Sequence, residues 1–277
     1  MVLRLLSQGI AVTVWNRTPG KLQSLLESGA TAAATPRHAV AAATLVALCL
    51  TDAAAIEEVV FGAEGIAQAG RPAGAQSRLV IDFSTIGPDA SRNFAARLAR
   101  ASGDRWLDSP VSGGVRGAAA GTLIVFCGGA PEDVVRASPI LRAVAQRAKR
   151  VGEVGAGQSV KLCNQLIVAT TLLAIADSIA LGRECGLDVA ALPAMLAGGF
   201  ADSPLLRLFG PRMATGQTEP PTGTIGTMLK DVDAIALMAE QAGVSTPLLK
   251  DVRKIYRARG HANDDLVTLG IVRHRSE

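Results

Sequence analysis

The sequence predicts an α/β domain followed by an all-α domain, and three observations lead to this fold class. First, short apolar runs alternate with helical stretches from residue 11 to about residue 150. Second, the period changes after "VGEVGAGQ" at 151–158, and no convincing strand follows. Third, 49% of the 277 residues are apolar and 19% are charged, a globular composition large enough for two modest cores. We therefore predict domains at 1–154 and 155–277.

The predicted strands of the first domain are almost entirely apolar. Such strands, alternating with helices, indicate a mostly parallel sheet that is covered on both faces. The predicted strands lie at 11–15, 44–50, 78–84, 105–111 and 122–129. The predicted helices lie at 53–61, 88–99 and 131–144, and the alanine-rich segment 29–43 is predicted to hold a short strand, a turn and a helix.

The stretch "AVTVWNRTPGKL" at 11–22 joins a strand to a polar turn, Asn16-Arg17-Thr18, and to a helix that begins at Pro19. This order is typical of the second βα unit of a dinucleotide-binding fold. A first strand and a glycine-rich loop should precede it, but only ten residues do. Because residues 1–8 have the apolar pattern of a helix end, we expect the first strand and the G-x-G-x-x-G loop to be missing, through a misplaced start or a real truncation.

The second predicted domain opens with a long helix at 159–185. Further helices are predicted at 188–197, 203–213, 225–243 and 246–258. The most apolar part of the long helix, 166–176, is about half the length that a bilayer requires, so we interpret it as a core helix and expect no membrane association.

Composition argues against several classes of protein. The net charge is +4, but no basic stripe with interleaved aromatics is present and aromatics make up 3% of the chain, so we expect no nucleic-acid partner. The four cysteines are isolated in apolar surroundings, which predicts reduced core thiols and a cytoplasmic protein. The three histidines are scattered, so no metal site is expected. The N-terminal apolar run contains an arginine and is too short for a signal peptide.

The run "DSPVSGGVRGAAAGTL" at 108–123 places glycines around a serine directly after a strand. Gly113 and Gly114 have no Cβ, so their N–H groups can close around an anion, with the Ser112 hydroxyl as a further donor. A substrate carboxylate is the natural occupant. The length of the run favours this interpretation over a tight structural turn.

The run "GAGQSVKLCNQLIVA" at 155–169 places a lysine, Lys161, in the first turns of the long helix. Asn164 and Gln165 follow at i+3 and i+4 on the same helical face. A partly desolvated lysine has a lowered pKa and can exchange a proton with an alcohol oxygen. The two amides favour a site here over a lysine that merely covers the helix surface.

These two runs, with "WNRT", "VIDFSTIGP" and "MLKDVDAIALMAEQAG", resemble the β-hydroxyacid dehydrogenase family. The family includes 3-hydroxyisobutyrate dehydrogenases and several semialdehyde reductases, and 6-phosphogluconate dehydrogenase is a more distant relative. The resemblance covers the chain except its missing start. It implies a Rossmann-like first domain, hydride transfer between NAD(P) and a small β-hydroxyacid or semialdehyde carboxylate, and a helical domain that forms a homodimer or homotetramer.

The resemblance also implies roles for substrate-binding positions. Ser112-Gly113-Gly114 match the loop that binds the substrate carboxylate. Lys161 matches the catalytic lysine, a general acid in carbonyl reduction and a general base in alcohol oxidation. Asn164 and Gln165 occupy a stretch where the family often has two adjacent asparagines. Gln165 departs from that pattern and leaves open which amide orients the substrate.

Cofactor-binding positions are implied in the same way. Thr85 matches a residue near the nicotinamide ribose. Leu50 and Thr51 match a Leu-Pro pair, with threonine in place of proline. Lys230 matches a lysine that contacts the cofactor across the cleft, and Asp231 lies beside it in sequence.

The turn Asn16-Arg17-Thr18 also bears on cofactor choice. NAD-binding folds place a carboxylate at this strand end, whereas a 2′-phosphate requires a cation. The turn offers an arginine, an amide and a hydroxyl, with Lys21 nearby and no acid in the adjoining sequence. We therefore predict NADP, with NAD as the other possibility.

Two alternatives remain open from the sequence. An imine reductase would share the scaffold, but those enzymes usually lack the catalytic lysine, so Lys161 counts against this reading. A catalytically impaired dinucleotide-binding remnant is the other alternative, because the glycine loop is not found in the sequence.

Overall fold

A computed structural model describes residues 1–70, 74, 76–258 and 261–271. The chain forms two compact units, Met1–Lys161 and Leu162–Glu277. The first unit is α/β and the second is helical, which confirms the predicted fold class. The predicted domain boundary near residue 155 stays a prediction.

The first unit contains eight strands among its described residues. They are β1 Thr13–Val14, β2 Thr31–Ala32, β3 Leu45–Leu48, β4 Leu79–Asp82, β5 Arg105–Asp108, β6 Val111–Ser112, β7 Leu123–Gly128 and β8 Ala145–Gly152. Its helices are α1 Val2–Ser7, α2 Gln23–Glu27, α3 Pro36–Ala39, α4 Ala53–Phe61, α5 Pro88–Ser102, α6 Gly114–Ala120 and α7 Pro131–Val144. Every strand and helix predicted before residue 150 is present, although several are shorter than predicted.

The main sheet has the strand order β3-β4-β5-β7-β6, with β8 paired to β7. Strands β3, β4 and β5 run parallel, as do β7 and β8, whereas β5 and β6 are antiparallel to β7. The parallel strands β3 and β4 therefore end at the same edge of the sheet, and the loops that follow them, near Leu50 and Thr85, are neighbours.

Two apolar clusters cover opposite faces of this sheet. Leu79 and Ile81 of β4 belong to one cluster, together with residues of α1 and α7. Val80, between them, belongs to the other cluster, together with residues of α4 and α5. Because successive strand residues point to opposite faces, the helices lie on both sides of the sheet, as the apolar strands predicted.

The N-terminal segment forms the helical turn that the sequence predicts. Helix α1 packs Leu5 into the cluster on one face of the main sheet. Strand β1 pairs in parallel with β2 in a separate two-stranded sheet, and no described pairing joins these two strands to the main sheet. The expectation that a first strand and glycine loop are missing stays a prediction.

The second unit is built from helices in its described part. They are the greater part of α8 Ala156–Glu184, then α9 Leu192–Met195, α10 Pro204–Thr215, α11 Ile225–Gln241 and α12 Pro247–Ala258. Helix α8 is long and apolar enough to span a membrane by length and composition alone, and 44% of its most apolar window is buried. It nevertheless supplies Leu172 and Ile179 to the core of this unit, as expected of a core helix.

One strand was missed from the sequence, and the prediction for the cysteines is wrong. Strand β8 was not predicted, because its segment carries charged side chains, among them Arg147 and Lys149, that lie exposed on an edge strand. The cysteines are not all core thiols: Cys127 is buried, whereas the other three are exposed. Local apolar composition overestimated burial because these cysteines lie on the solvent-facing positions of their segments.

Candidate functional site

The serine-glycine loop lies where β6 ends and α6 begins. Gly113 and Gly114 have φ angles of 122° and 60°, in the left-handed region that favours glycine. A Cβ at Gly113 would lie 3.3 Å from the Leu123 side chain, a tight contact that adds to the preference for glycine there. Both glycines are exposed and Ser112 is half-buried. The loop can therefore present N–H and hydroxyl donors to a small anion, the role for which the sequence nominated it.

Lys161 lies in the second turn of α8 and is the last residue of the first unit. Lys161 is only 8% exposed. A lysine so deeply buried requires a polar environment or a chemical role, because an ammonium group is costly to remove from water.

The first turn of α8 is anchored by a carboxylate from another part of the first unit. Asp108, the last residue of β5, is fully buried. Its Oδ1 accepts a hydrogen bond from the Gly155 N–H at 2.6 Å, and its Oδ2 accepts one from the Gln158 N–H at 2.9 Å. The carboxylate thus satisfies N–H groups that have no partner within the helix.

The environment of Asp108 acts on its ionisation in two opposing ways. Burial raises the pKa of Asp108 to about 6, and hydrogen bonds from backbone N–H groups partly oppose this rise. Above that pH the carboxylate is ionised and also favourably placed at a helix N-terminus.

Glycines make room for this carboxylate. A Cβ on Gly157 would lie 2.6 Å from Asp108 Oδ2 and would collide with the carbonyl oxygen of Phe126. A Cβ on Gly128 would also collide with the Asp108 carboxylate. Gly157 of the "GAGQ" stretch and Gly128 of β7 are therefore required by close packing between the helix start and the sheet.

The loops after β3 and β4 are joined by a serine. Ser84 Oγ accepts a hydrogen bond from the Leu50 N–H at 2.9 Å. Thr85 follows directly and is half-buried, while Thr51 is exposed. The structure therefore brings together Leu50 and Thr85, two of the cofactor-binding residues that the sequence nominated.

The Asn16-Arg17-Thr18 turn follows β1. Asn16 Oδ1 accepts a hydrogen bond from the Thr18 N–H at 2.8 Å, which fixes the turn. The adjoining sequence offers no acid, but the fold brings one near: Glu58 of α4 lies 3.9 Å from the Arg17 guanidinium. Sequence reasoning missed this residue because it is distant in the chain. Both side chains are largely exposed, and such pairs contribute little.

The polar residues of the second unit form a chain of side-chain contacts. Asn164 Nδ2 donates to Gln165 Oε1 at 3.0 Å, and Gln165 Nε2 donates to Asp231 Oδ2 at 2.6 Å. Asp231 Oδ1 lies 3.1 Å from Lys230 Nζ, which joins the last nominated residue to the chain. Gln165 and Asp231 are buried.

Two residues of the first unit were missed from the sequence as members of the site, Asp108 and Gln158. Their hydrogen-bond partners lie about 50 to 70 positions away in the chain. The available signal was an aspartate at the end of an apolar strand and a glutamine one turn before Lys161. No group of acidic, histidine and cysteine side chains suited to a metal is found in the described residues.

Comparison with known proteins gives matches along nearly the whole chain. Residues 1–155 match the family model described as the NAD-binding domain of 6-phosphogluconate dehydrogenase. Residues 155–269 match the model described as NAD-binding of NADP-dependent 3-hydroxyisobutyrate dehydrogenase.

The chain is also similar to individual proteins of the kinds that these family models describe. The chain is 31% identical to 3-hydroxyisobutyrate dehydrogenase of Pseudomonas aeruginosa, with 95% of this chain and 89% of that protein covered. It is 31% identical to 2-hydroxy-3-oxopropionate reductase of Escherichia coli, with 80% and 74% covered. The structure of Mycobacterium tuberculosis 3-hydroxyisobutyrate dehydrogenase with L-serine matches with a TM-score of 0.83 and 27% identity, and covers 98% of this chain and 93% of that one. The chain belongs to the β-hydroxyacid dehydrogenase family.

Proposed function

We propose that this protein transfers a hydride between NADP and a small β-hydroxyacid or semialdehyde carboxylate, with Lys161 as the general acid and base. The observation that carries the proposal is a lysine only 8% exposed, in a helix whose first turn is fixed by a buried carboxylate. Family membership supports the reaction class, and two relatives are named as a hydroxyacid dehydrogenase and an oxoacid reductase.

The residues divide the chemistry between them. When bound, the nicotinamide supplies or accepts the hydride. The Ser112 hydroxyl and the N–H groups of Gly113 and Gly114 bind the substrate carboxylate. During carbonyl reduction the Lys161 ammonium donates its proton to the carbonyl oxygen, and during alcohol oxidation the neutral amine takes the hydroxyl proton. Carbonyl, hydride and proton together give the alcohol.

The cofactor fits residues of the first unit. Arg17 is a largely exposed cation in a fixed turn at the end of β1, suited to a 2′-phosphate. Leu50, Thr51 and Thr85 would approach the nicotinamide half from the loops after β3 and β4. In the second unit Lys230, about one-third exposed, is a further candidate for the cofactor phosphates. Substitution of Arg17 by aspartate should shift preference from NADP towards NAD.

The hydrogen bonds of Asn164 and Gln165 bear on which of these two amides orients the substrate. Gln165 uses its oxygen towards Asn164 and its nitrogen towards Asp231. We therefore assign the substrate contact to Asn164, with its Oδ1 as the acceptor. Gln165 then orients Asn164, and this role explains how glutamine can replace the second asparagine of the family pattern.

We also propose that the protein is a homodimer or homotetramer in the cytoplasm. Ile167 and Leu181 of α8 are each 67% exposed and lie on one helical face, where a second copy would bury them. Light scattering should give an oligomer, and the double substitution of both residues by glutamate should shift it towards monomer. Three exposed cysteines outside any disulfide suit a reducing compartment.

The function is tested with a panel of semialdehydes and β-hydroxyacids, assayed by nicotinamide absorbance with NADP(H) and NAD(H). Turnover of a small carboxylate, with NADP preferred, is the expected result. A preference for NAD would overturn the cofactor assignment. Cofactor binding without turnover of any member would favour a catalytically impaired remnant, and turnover of cyclic imines alone would favour an imine reductase.

A further inference from the structure

The side chain of Gln158 is fully buried and directed at the loop after β4. Its Oε1 accepts hydrogen bonds from the N–H groups of Ile86 and Gly87, at 3.0 and 3.3 Å. Its Nε2 donates to the carbonyl oxygen of Ser84 at 2.9 Å. This pattern requires an amide in one orientation, because the loop offers two donors at one side and an acceptor at the other.

The backbone of Gln158 is held as firmly as its side chain. Its N–H donates to Asp108 Oδ2 at 2.9 Å, and the adjacent Gly157 is packed too closely for any side chain. Because its backbone is bonded to β5 and its side chain to the loop after β4, Gln158 holds that loop in a defined position relative to the sheet. Since the partners are backbone groups, two of which (Ser84 and Gly87) are buried, loss of the amide would leave buried polar groups without a hydrogen-bond partner.

The loop that Gln158 holds contains Thr85, between Ser84 and Ile86. The Ser84 Oγ in turn accepts a hydrogen bond from the Leu50 N–H, which joins the loops after β3 and β4. On α8, Lys161 follows Gln158 by three residues, which places the two on the same side of the helix. One side chain therefore connects the helix that carries the lysine to the loops nominated for the nicotinamide end of the cofactor.

We propose that Gln158 is a positioning residue that fixes the nicotinamide-side loops relative to Lys161. This inference rests on the proposed function, because it assigns Thr85 and Leu50 to the cofactor and Lys161 to proton transfer. Gln158 itself touches neither substrate nor cofactor in this account. Its amide sets the geometry in which hydride and proton are transferred.

The test compares three variants. Gln158→Met keeps the length of the side chain and removes its amide. Gln158→Glu keeps the oxygen that accepts from Ile86 and Gly87 but places a second oxygen against the Ser84 carbonyl. Ser91→Ala is the control: it removes the buried bond from Trp106 Nε1 to Ser91 Oγ, at 3.1 Å, in the same unit and leaves loop 84–87 intact.

A positioning role predicts a split between kinetic constants. Gln158→Met should raise the cofactor Kd by about tenfold and lower kcat by about tenfold or more, with the KM of the carboxylate substrate within about twofold. Gln158→Glu should fall between Gln158→Met and the unmodified protein. Ser91→Ala should lower the Tm and leave both cofactor Kd and kcat unchanged.

The outcomes separate this inference from the proposed function. If the unmodified protein neither binds nicotinamide cofactors nor turns over a carboxylate substrate, the proposed function fails. If it does both and Gln158→Met matches it, or changes only the Tm as Ser91→Ala does, the positioning role is refuted. If Gln158→Met does not fold, Gln158→Glu decides: an unchanged cofactor Kd and kcat would refute the role.

Discussion

The two units hold their functional side chains in different ways. In the first unit, Asp108 and Gln158 bind backbone groups, and glycines permit the close approach. In the second unit, Asn164 and Asp231 are joined through Gln165 by bonds between side chains. A site fixed by backbone contacts is part of the fold, so its substitution should impair stability and function together. A side-chain network can lose a member while the helices remain, so its substitution should act mainly on function.

The largest expected effect is on stability in the first unit. Gly157→Ala would drive its Cβ into the Phe126 carbonyl and the Asp108 carboxylate. We expect the free energy of unfolding to fall by about 4 kcal/mol, because backbone on both sides prevents relaxation. Urea denaturation measures it. Gly20→Ala is the control, because a Cβ at that position would have no neighbour within 4 Å; it should change stability by less than about 0.5 kcal/mol. Similar values for both variants would show that packing does not require glycine at position 157.

The next effect is a pH dependence carried by Asp108. Its pKa is raised to about 6 in the folded protein by burial, above the ordinary 3.8. The folded state therefore binds more protons between these values, and the contribution of Asp108 to stability falls as the pH rises from about 4 to about 6. Above that window the loss is complete and amounts to about 3 kcal/mol.

The measurement compares unfolding free energies of the unmodified protein and Asp108→Asn across pH 4–7, because asparagine does not titrate. The unmodified protein should lose stability relative to the variant as the pH rises. Parallel curves would show that the folded and unfolded states share one pKa at this position.

A smaller effect is expected in the second unit. Asp231→Ala removes the partner of Gln165 Nε2 and should free the amide chain that orients Asn164. We expect the KM of the carboxylate substrate to rise by about tenfold, while the Tm falls by less than it does in Gly157→Ala. Asp233→Ala removes a charge from the same helix, α11, where Asp233 pairs with Arg253, and serves as the matched control. A large fall in Tm for Asp231→Ala with an unchanged KM would contradict the claim that substitutions in the second unit act mainly on function.

Sequence reasoning reached the elements that local pattern determines. Apolar strands such as β4 and helices such as α4 and α7 were predicted within a few residues, because the spacing of apolar residues along the sequence shows which positions are buried. Strand β8 was missed because it is held by pairing with β7 and none of its residues is buried.

In the candidate site, too, the residues that are adjacent in sequence were predicted and those with distant partners were missed. Ser112, Gly113 and Gly114 lie in one contiguous run, and the sequence identified that run. Asp108 and Gln158 were missed because their roles depend on partners brought near by the fold. The same limit applied to Glu58, which lies near Arg17 only in three dimensions. Local sequence thus indicates chemistry, whereas the groups that position this chemistry require the structure.

The central claim, proton transfer by Lys161, is tested most directly by Lys161→Ala. Turnover of the best substrate from the panel should fall by at least about 100-fold, the usual scale for loss of a general acid or base, with the NADP Kd within about twofold of its original value. Lys149→Ala, at an exposed lysine on β8, should leave both unchanged. Turnover retained by Lys161→Ala, with the protein folded and NADP bound, would contradict the account.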